Sequence, residues 1–278
     1  MSISVFAVVM FAALLHATWN AIVKGAGDKL LGAVQVAAFG ALIAAVALPF
    51  LPQPAVASWP YIVASSVLQV LYMSLLARAY HVADMSQTYP LMRGTAPLVV
   101  ALVGSLWLRE PLSVTAWVGV AVICAGILSM AWLGRGGGGG KGLRVALLNA
   151  AVIAGYTLVD GHGVRLSGAP AAYTLWGMLL NGIPLVGWAL VFRRRPFLDQ
   201  ARRQWRRGVV GGFGSLTSYG LALWAMTLAP VAVIAALRES SILFGTAIAA
   251  LVLKERVGPR RVAAACLIAA GAMVLRLA

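Results

Sequence analysis

Four charged side chains sit where so apolar a chain tolerates them least. Residues 233–245 read VIAALRESSILFG and place Arg238 and Glu239 beside Ser240 and Ser241 in a hydrophobic run. Arg93 follows YPLM in another such run, and Asp160 lies within GYTLVDGHG in a third. A charge at the centre of a membrane helix costs about 2.5–3.5 kcal/mol on insertion scales, so each needs a partner or a hydrated cavity. Neighbours on a helix point about 100° apart, which keeps Arg238 and Glu239 from satisfying each other. The arginines read in two ways: as planar forks that grip a carboxylate or other anionic group, or as internal ion pairs and carbonyl clamps that fix helices. The acids Asp160 and Glu239 are the candidates for carrying a coupling proton or cation.

Aromatic residues within the apolar runs could complete a binding cavity. Trp19, Tyr80, Tyr89, Tyr156, Tyr219 and Trp224 are the candidates, with Ser241 as a further hydrogen-bonding group; the alternative for any one ring is helix packing or an interfacial belt. Tyr219 stands out because it lies mid-run in the locally polar stretch SLTSYG. His16, Asn20, His81, Asn149, Asn181 and His162 read as polar bridges between helices. Cys124 and Cys266 have no partners at metal-ligand or disulfide spacing. No cofactor or metal is expected.

The elements that must position these residues are transmembrane helices. Of 278 residues, 62% are hydrophobic and 10% charged, and the apolar runs are continuous rather than alternating, as helices require and barrel strands do not. Ten spans are predicted, near 4–24, 31–51, 60–82, 87–108, 115–133, 144–166, 170–192, 208–228, 232–253 and 258–277. The first lacks the positive region of a secretory signal and reads as a retained helix. A net charge of +15 would suggest nucleic acid in a soluble protein, but here the basic residues cluster in short loops and suit an anionic lipid bilayer.

The side reached after the first span collects sixteen basic residues: Lys24, Lys29, Arg135, Lys141, Arg144, seven arginines between Arg193 and Arg207, Lys254, Arg256, Arg260 and Arg261. The other side has three, Arg109, Arg165 and Arg276. The positive-inside rule then puts the loop from Arg193 to Arg207 in the cytoplasm and both termini outside it.

The chain is also written twice. At an offset of 145, residues 71–130 align without a gap on 216–275, with eleven identities: LWLREPLSV falls on LVLKERVGP, Glu110 on Glu255, Gly126 on Gly271 and Arg93 on Arg238. GRGGGGGKG, residues 134–142, marks the seam as a flexible linker. The predicted organisation is a first five-helix repeat at 1–133, a Gly-rich linker at 134–143 and a second repeat at 144–278. An odd number of spans per repeat inverts the second copy, an arrangement found in many secondary transporters with a midplane site between the repeats. Arg93 and Arg238 would then sit on opposite sides of the midplane, each about 7 Å from it. Glu110 and Glu255 recur at helix ends and read as structural pins. Gly119 and Gly126, matched by Ala264 and Gly271, suit close helix packing, including between the protomers of a homodimer.

The two patterns YPLMRGTAPLVVALVGSLWLREPLSVTAWVGVAVICAGI and ALRESSILFGTAIAALVLKERVGPRRVAAACLIAAGAMV resemble the EamA-type members of the drug/metabolite transporter superfamily. That resemblance covers nearly the whole chain. It implies an all-α integral membrane fold whose third, fourth, eighth and ninth spans surround a central cavity, and export of amino acids or other metabolites, as bacterial members often perform. The expected setting is the bacterial inner membrane, with both termini periplasmic. The substrate expectation is a small molecule, amino acids foremost, with multidrug or cationic-compound export as the alternative. An integral-membrane enzyme is least favoured, since the chain has no HExxH, no GxSxG and no paired carboxylates.

Overall fold

A computed structural model of the chain describes residues 1–26, 28–82, 85–132, 140–252, 254 and 258–278, without the side chains of 77, 80–82, 85–87, 131, 132 and 140. The described residues form helices and no strand: α1 Ile3–Lys24, α2 Lys29–Ala47, α3 Trp59–Val82, α4 Met85–Trp107, α5 Val114–Trp132, α6 Gly140–Ser167, α7 Pro170–Phe192, α8 Arg194–Arg203, α9 Trp205–Met226, α10 Val231–Arg238, α11 Ser241–Leu251 and α12 Pro259–Leu277. Two single 3₁₀ turns, Leu48–Phe50 and Val56–Ser58, join α2 to α3.

Among the described residues eight helical segments are long and apolar enough to cross a membrane. Of the remaining two long helices, α5 spans Val114–Trp132 and is apolar along its length, and α12 carries Arg260, Arg261 and Arg276 within 19 residues. Large side chains such as Phe50 and Leu106, 83% and 82% exposed, point outward as a lipid-facing surface requires.

Local chemistry sets the helix ends. Asp28 accepts hydrogen bonds from the Leu30 and Leu31 amides at 3.0 and 3.1 Å and starts α2. Ser113 accepts from Ala116 N at 3.1 Å and starts α5, while Pro170 and Pro259 open α7 and α12 without wasting an amide. Two expectations need correcting. The loop expected between the seventh and eighth spans contains α8, a basic helix anchored by buried Phe197. The linker expected at 134–143 is shorter, because α6 already begins at Gly140; residues 133–139 lie outside the described residues.

The internal repeat is visible in the backbone. Arg109 and Lys254, paired by the 145-residue offset, are the two non-glycine residues with positive φ among those described, at 52° and 53°. Helices α5 and α12 pack on each other with reciprocal contacts. A Cβ on Gly126 would meet Ile268 Cγ1 at 3.1 Å and Ala264 O at 3.2 Å. One on Gly271 would meet Ile123 Cγ1 at 2.6 Å and Gly119 O at 3.0 Å, the same contacts carried to the other copy. These small-residue faces, expected to suit a contact between protomers, are therefore occupied within one chain. A homodimer would need a different face.

Both ends of the bundle are tied. At one end Arg193 reaches Asp28 at 2.9 Å, and Gln35 donates to the Gln204 carbonyl at 3.0 Å. At the other end Arg165, at the close of α6, pairs with Glu110. It also donates to the carbonyls of Met226 and Ala229 at 2.7 and 3.0 Å. Glu110 in turn accepts from Val231 N at 2.9 Å, which caps α10. A first-half acid thus anchors two second-half helices. Its repeat mate Glu255 lies outside the described residues.

Candidate functional site

Helices α4, α6 and α10 line a small, partly open cavity of about 20 Å³, room for one or two waters. Its apolar wall is Ala96, Pro97, Val100, Ile153 and Ala235, and its polar wall is Arg93, Tyr156, Thr157, Arg238 and Glu239. Four of the residues singled out in the sequence, Arg93, Tyr156, Arg238 and Glu239, therefore meet at one place.

The span predicted at 232–253 is not a uniform helix. Between α10 and α11 the Glu239 amide bonds to Ala236 O and the Ser240 amide to Leu237 O, each at 3.0 Å and three residues back, so the chain tightens into a 3₁₀ step at RESS. Ser240 is fully buried there, and its Oγ has no hydrogen-bond partner among the described residues. Either side of this step the two charged neighbours point at different helices. Glu239 turns to α4, where it accepts from Arg93 Nε at 3.0 Å and meets Arg93 Nη2 at 2.9 Å, a bidentate ion pair with both residues buried. Arg238 turns to α9, where its guanidinium carbon lies 5.1 Å from the centre of the Tyr219 ring. Among the described residues Arg238 has no carboxylate within ion-pair distance.

The two arginines that the repeat makes equivalent are thus in unequal circumstances. Arg93 has its counter-charge in Glu239. Position 94, the repeat mate of Glu239, is a glycine, and a Cβ there would meet Leu128 Cγ at 2.9 Å. No acid can answer Arg238 from that place.

Asp160, on α6, is held by three hydroxyls. Ser65 donates to Oδ2 at 2.7 Å, Tyr173 donates to Oδ1 at 3.0 Å, and Tyr219 donates to Oδ2 as well. Behind Ser65 the chain continues: Gln69 donates to Ser65 Oγ at 3.0 Å and Asn181 to Gln69 Oε1 at 2.9 Å. Ser65, Gln69 and Tyr173 were not singled out in the sequence. The signal for the first two was available, since polar residues four apart in an apolar helix share a face.

The remaining candidates scatter. Tyr89 is half-buried one turn before Arg93 and Ser241 is buried, yet neither lines the cavity. Trp19 packs edge-on against His16 at 5.2 Å, its buried Nε1 without a partner among the described residues. Trp224 is 37% exposed. It lies five residues beyond Tyr219, about 140° round the helix, so it points away from Asp160 and the cavity. The side chain of Tyr80 lies outside the described residues.

A membrane-embedded cavity with one arginine paired and its twin unpaired, between two copies of one fold, is the setting in which comparison with known proteins becomes decisive. The EamA-like transporter family profile matches residues 3–132 and again 140–277. The chain belongs to the EamA-like transporter family. EamA-like proteins are transporters, and the apolar helices make the chain a multi-pass membrane protein. A crystal structure described only as that of a protein superposes with a TM-score of 0.76 at 19% identity, covering 100% of this chain and 98% of that one; the likeness speaks to the fold alone. No curated protein matches.

Proposed function

We propose that this EamA-like protein is a secondary transporter that exports small metabolites bearing an anionic group, amino acids foremost, from the bacterial cytoplasm. In this reading the chain crosses the inner membrane ten times, with α10 and α11 together forming one crossing. The two repeats, one on each side of the Gly-rich segment, are inverted relative to each other. Both termini face the periplasm, because the basic ends of the helices gather on the opposite side. The site is the cavity between α4 and α10, one helix from each repeat, and alternating access arises from movement of one repeat against the other.

The observation that carries the reading is the unequal treatment of Arg93 and Arg238. A membrane-embedded guanidinium with no carboxylate is costly. It is explained if the substrate supplies the missing anion, with Tyr156, Tyr219 and the aliphatic wall receiving the apolar remainder. Export of cations fits less well. Glu239 is neutralised by Arg93, and Asp160, although it has no ion-pair partner among the described residues, has both carboxylate oxygens engaged by hydroxyl donors.

Counterflow in proteoliposomes tests the proposal, using a panel of radiolabelled amino acids, sugars and cationic dyes with and without a proton gradient. Exchange of amino acids supports it. Exchange of the dyes alone would overturn it.

A further inference from the structure

Arg238 raises a question that substrate binding does not answer, namely what stabilises its charge when the cavity is empty. The contact within reach is the face of Tyr219, at 5.1 Å. The hydroxyl of that same ring donates to Asp160, which also receives Ser65 and Tyr173 and has no cation of its own among the described residues. A phenol whose proton is drawn toward a carboxylate has a more electron-rich ring, and an electron-rich face attracts a guanidinium more strongly. The order is therefore carboxylate, phenol, guanidinium, across α6, α9 and α10.

We infer that Asp160 is a positioning residue for the anion site: it acts through Tyr219 to hold the Arg238 guanidinium over the ring, compensated in charge yet free of a direct carboxylate bond. The contrast with Arg93 shows what this achieves. A bidentate acid fills one edge of the guanidinium and neutralises its charge, as Glu239 does at Nε and Nη2 of Arg93. A counter-charge placed one ring away leaves those N–H groups open. Within the aligned repeat Tyr219 has no mate of the same kind, since it falls on Ser74, and Asp160, Tyr219 and Arg238 all lie in the second half. The device belongs to one copy, the copy whose arginine is unpaired.

The inference rests on the reading of Arg238 as the anion anchor, but its test can be separated from that reading. Phenylglyoxal modifies guanidinium groups, and its attachment to Arg238 can be followed by peptide mass mapping of the purified full chain in detergent. Tyr219→Phe keeps the ring and removes the hydroxyl, and Asp160→Asn keeps the shape and removes the charge. Each should raise the modification rate of Arg238 about two-fold, because the cation–ring contact is weakened and not removed, while Arg93, held by Glu239, keeps its wild-type rate. The double variant should react no faster than the faster single variant, because both changes cut one chain. Should Asp160→Asn not fold, Tyr219→Phe decides alone. Modification of Arg238 at the wild-type rate in folded Tyr219→Phe, or an equal rise at Arg93, would overturn the inference. If Arg238 behaves as described yet no amino acid is exchanged in counterflow, the relay stands and the substrate reading fails.

Discussion

Arg93 on α4 grips Glu239 at the junction of α10 and α11 through two nitrogen–oxygen contacts, 3.0 and 2.9 Å long, and so joins the two halves of the chain through a buried ion pair. Removing one partner of such a pair leaves an uncompensated charge in a low-dielectric site. Glu239→Gln should destabilise the protein by about 3–5 kcal/mol, read as a lowered thermal midpoint of the purified protein in detergent. Exchanging the two residues, Arg93→Glu with Glu239→Arg, should recover a large part of that loss. An unchanged midpoint in Glu239→Gln would mean that the pair does not hold the halves together.

Glu110 joins Arg165 and the start of α10 at one end of the bundle. Glu110→Ala removes both an ion pair and a helix cap, and should cost about 1–3 kcal/mol in the same unfolding measurement. Arg165→Lys should cost less than Arg165→Ala, since an ammonium can still reach one of the carbonyls that Arg165 now binds.

Gly271 packs its backbone against α5 so closely that an added Cβ would lie 2.6 Å from Ile123 Cγ1 and 2.9 Å from Ile123 N. Backbone cannot yield as a side-chain tip can, so Gly271→Ala should force the helices apart and cost about 1–3 kcal/mol. Its particle size in size-exclusion chromatography should not change, because the contact lies within one chain. Loss of a dimer on this substitution would place the glycine at a protomer interface instead.

Much of this architecture is legible in the sequence. Unbroken apolar runs force helices, and matched Arg, Glu and Gly positions reveal the repeat that the backbone of Arg109 and Lys254 then displays. The need of Arg93 for a partner was also legible, as one of two alternatives. That its partner would be Glu239 was not, because the pairing depends on the 3₁₀ step that turns Glu239 toward α4 while Arg238 faces α9. Tyr173 escaped notice for a related reason: its value lies in reaching Asp160 across two helices, and no local spacing encodes that. Trp224 misled because an aromatic near a good candidate on the same helix need not share its face.

The proposed orientation in the membrane rests on the uneven distribution of arginine and lysine between the two ends. An alkaline phosphatase fusion at Ala278 should be active, and one placed in the Arg193–Arg207 segment inactive. The reverse pattern would overturn the proposed orientation.

The central claim, that Arg238 binds the anionic group of the substrate, is tested most directly by competition in counterflow between amino acids and their amides or methyl esters, in the wild type and in Arg238→Gln. A hydrogen bond to a charged group contributes about 1.5–3 kcal/mol, so the wild type should prefer the free acid by about ten-fold or more. Arg238→Gln should lose that preference, mainly through weaker binding of the acid. Arg238→Lys should retain part of it, having the charge but not the planar fork. A folded Arg238→Gln protein that still prefers the free acid as strongly as the wild type would contradict the account.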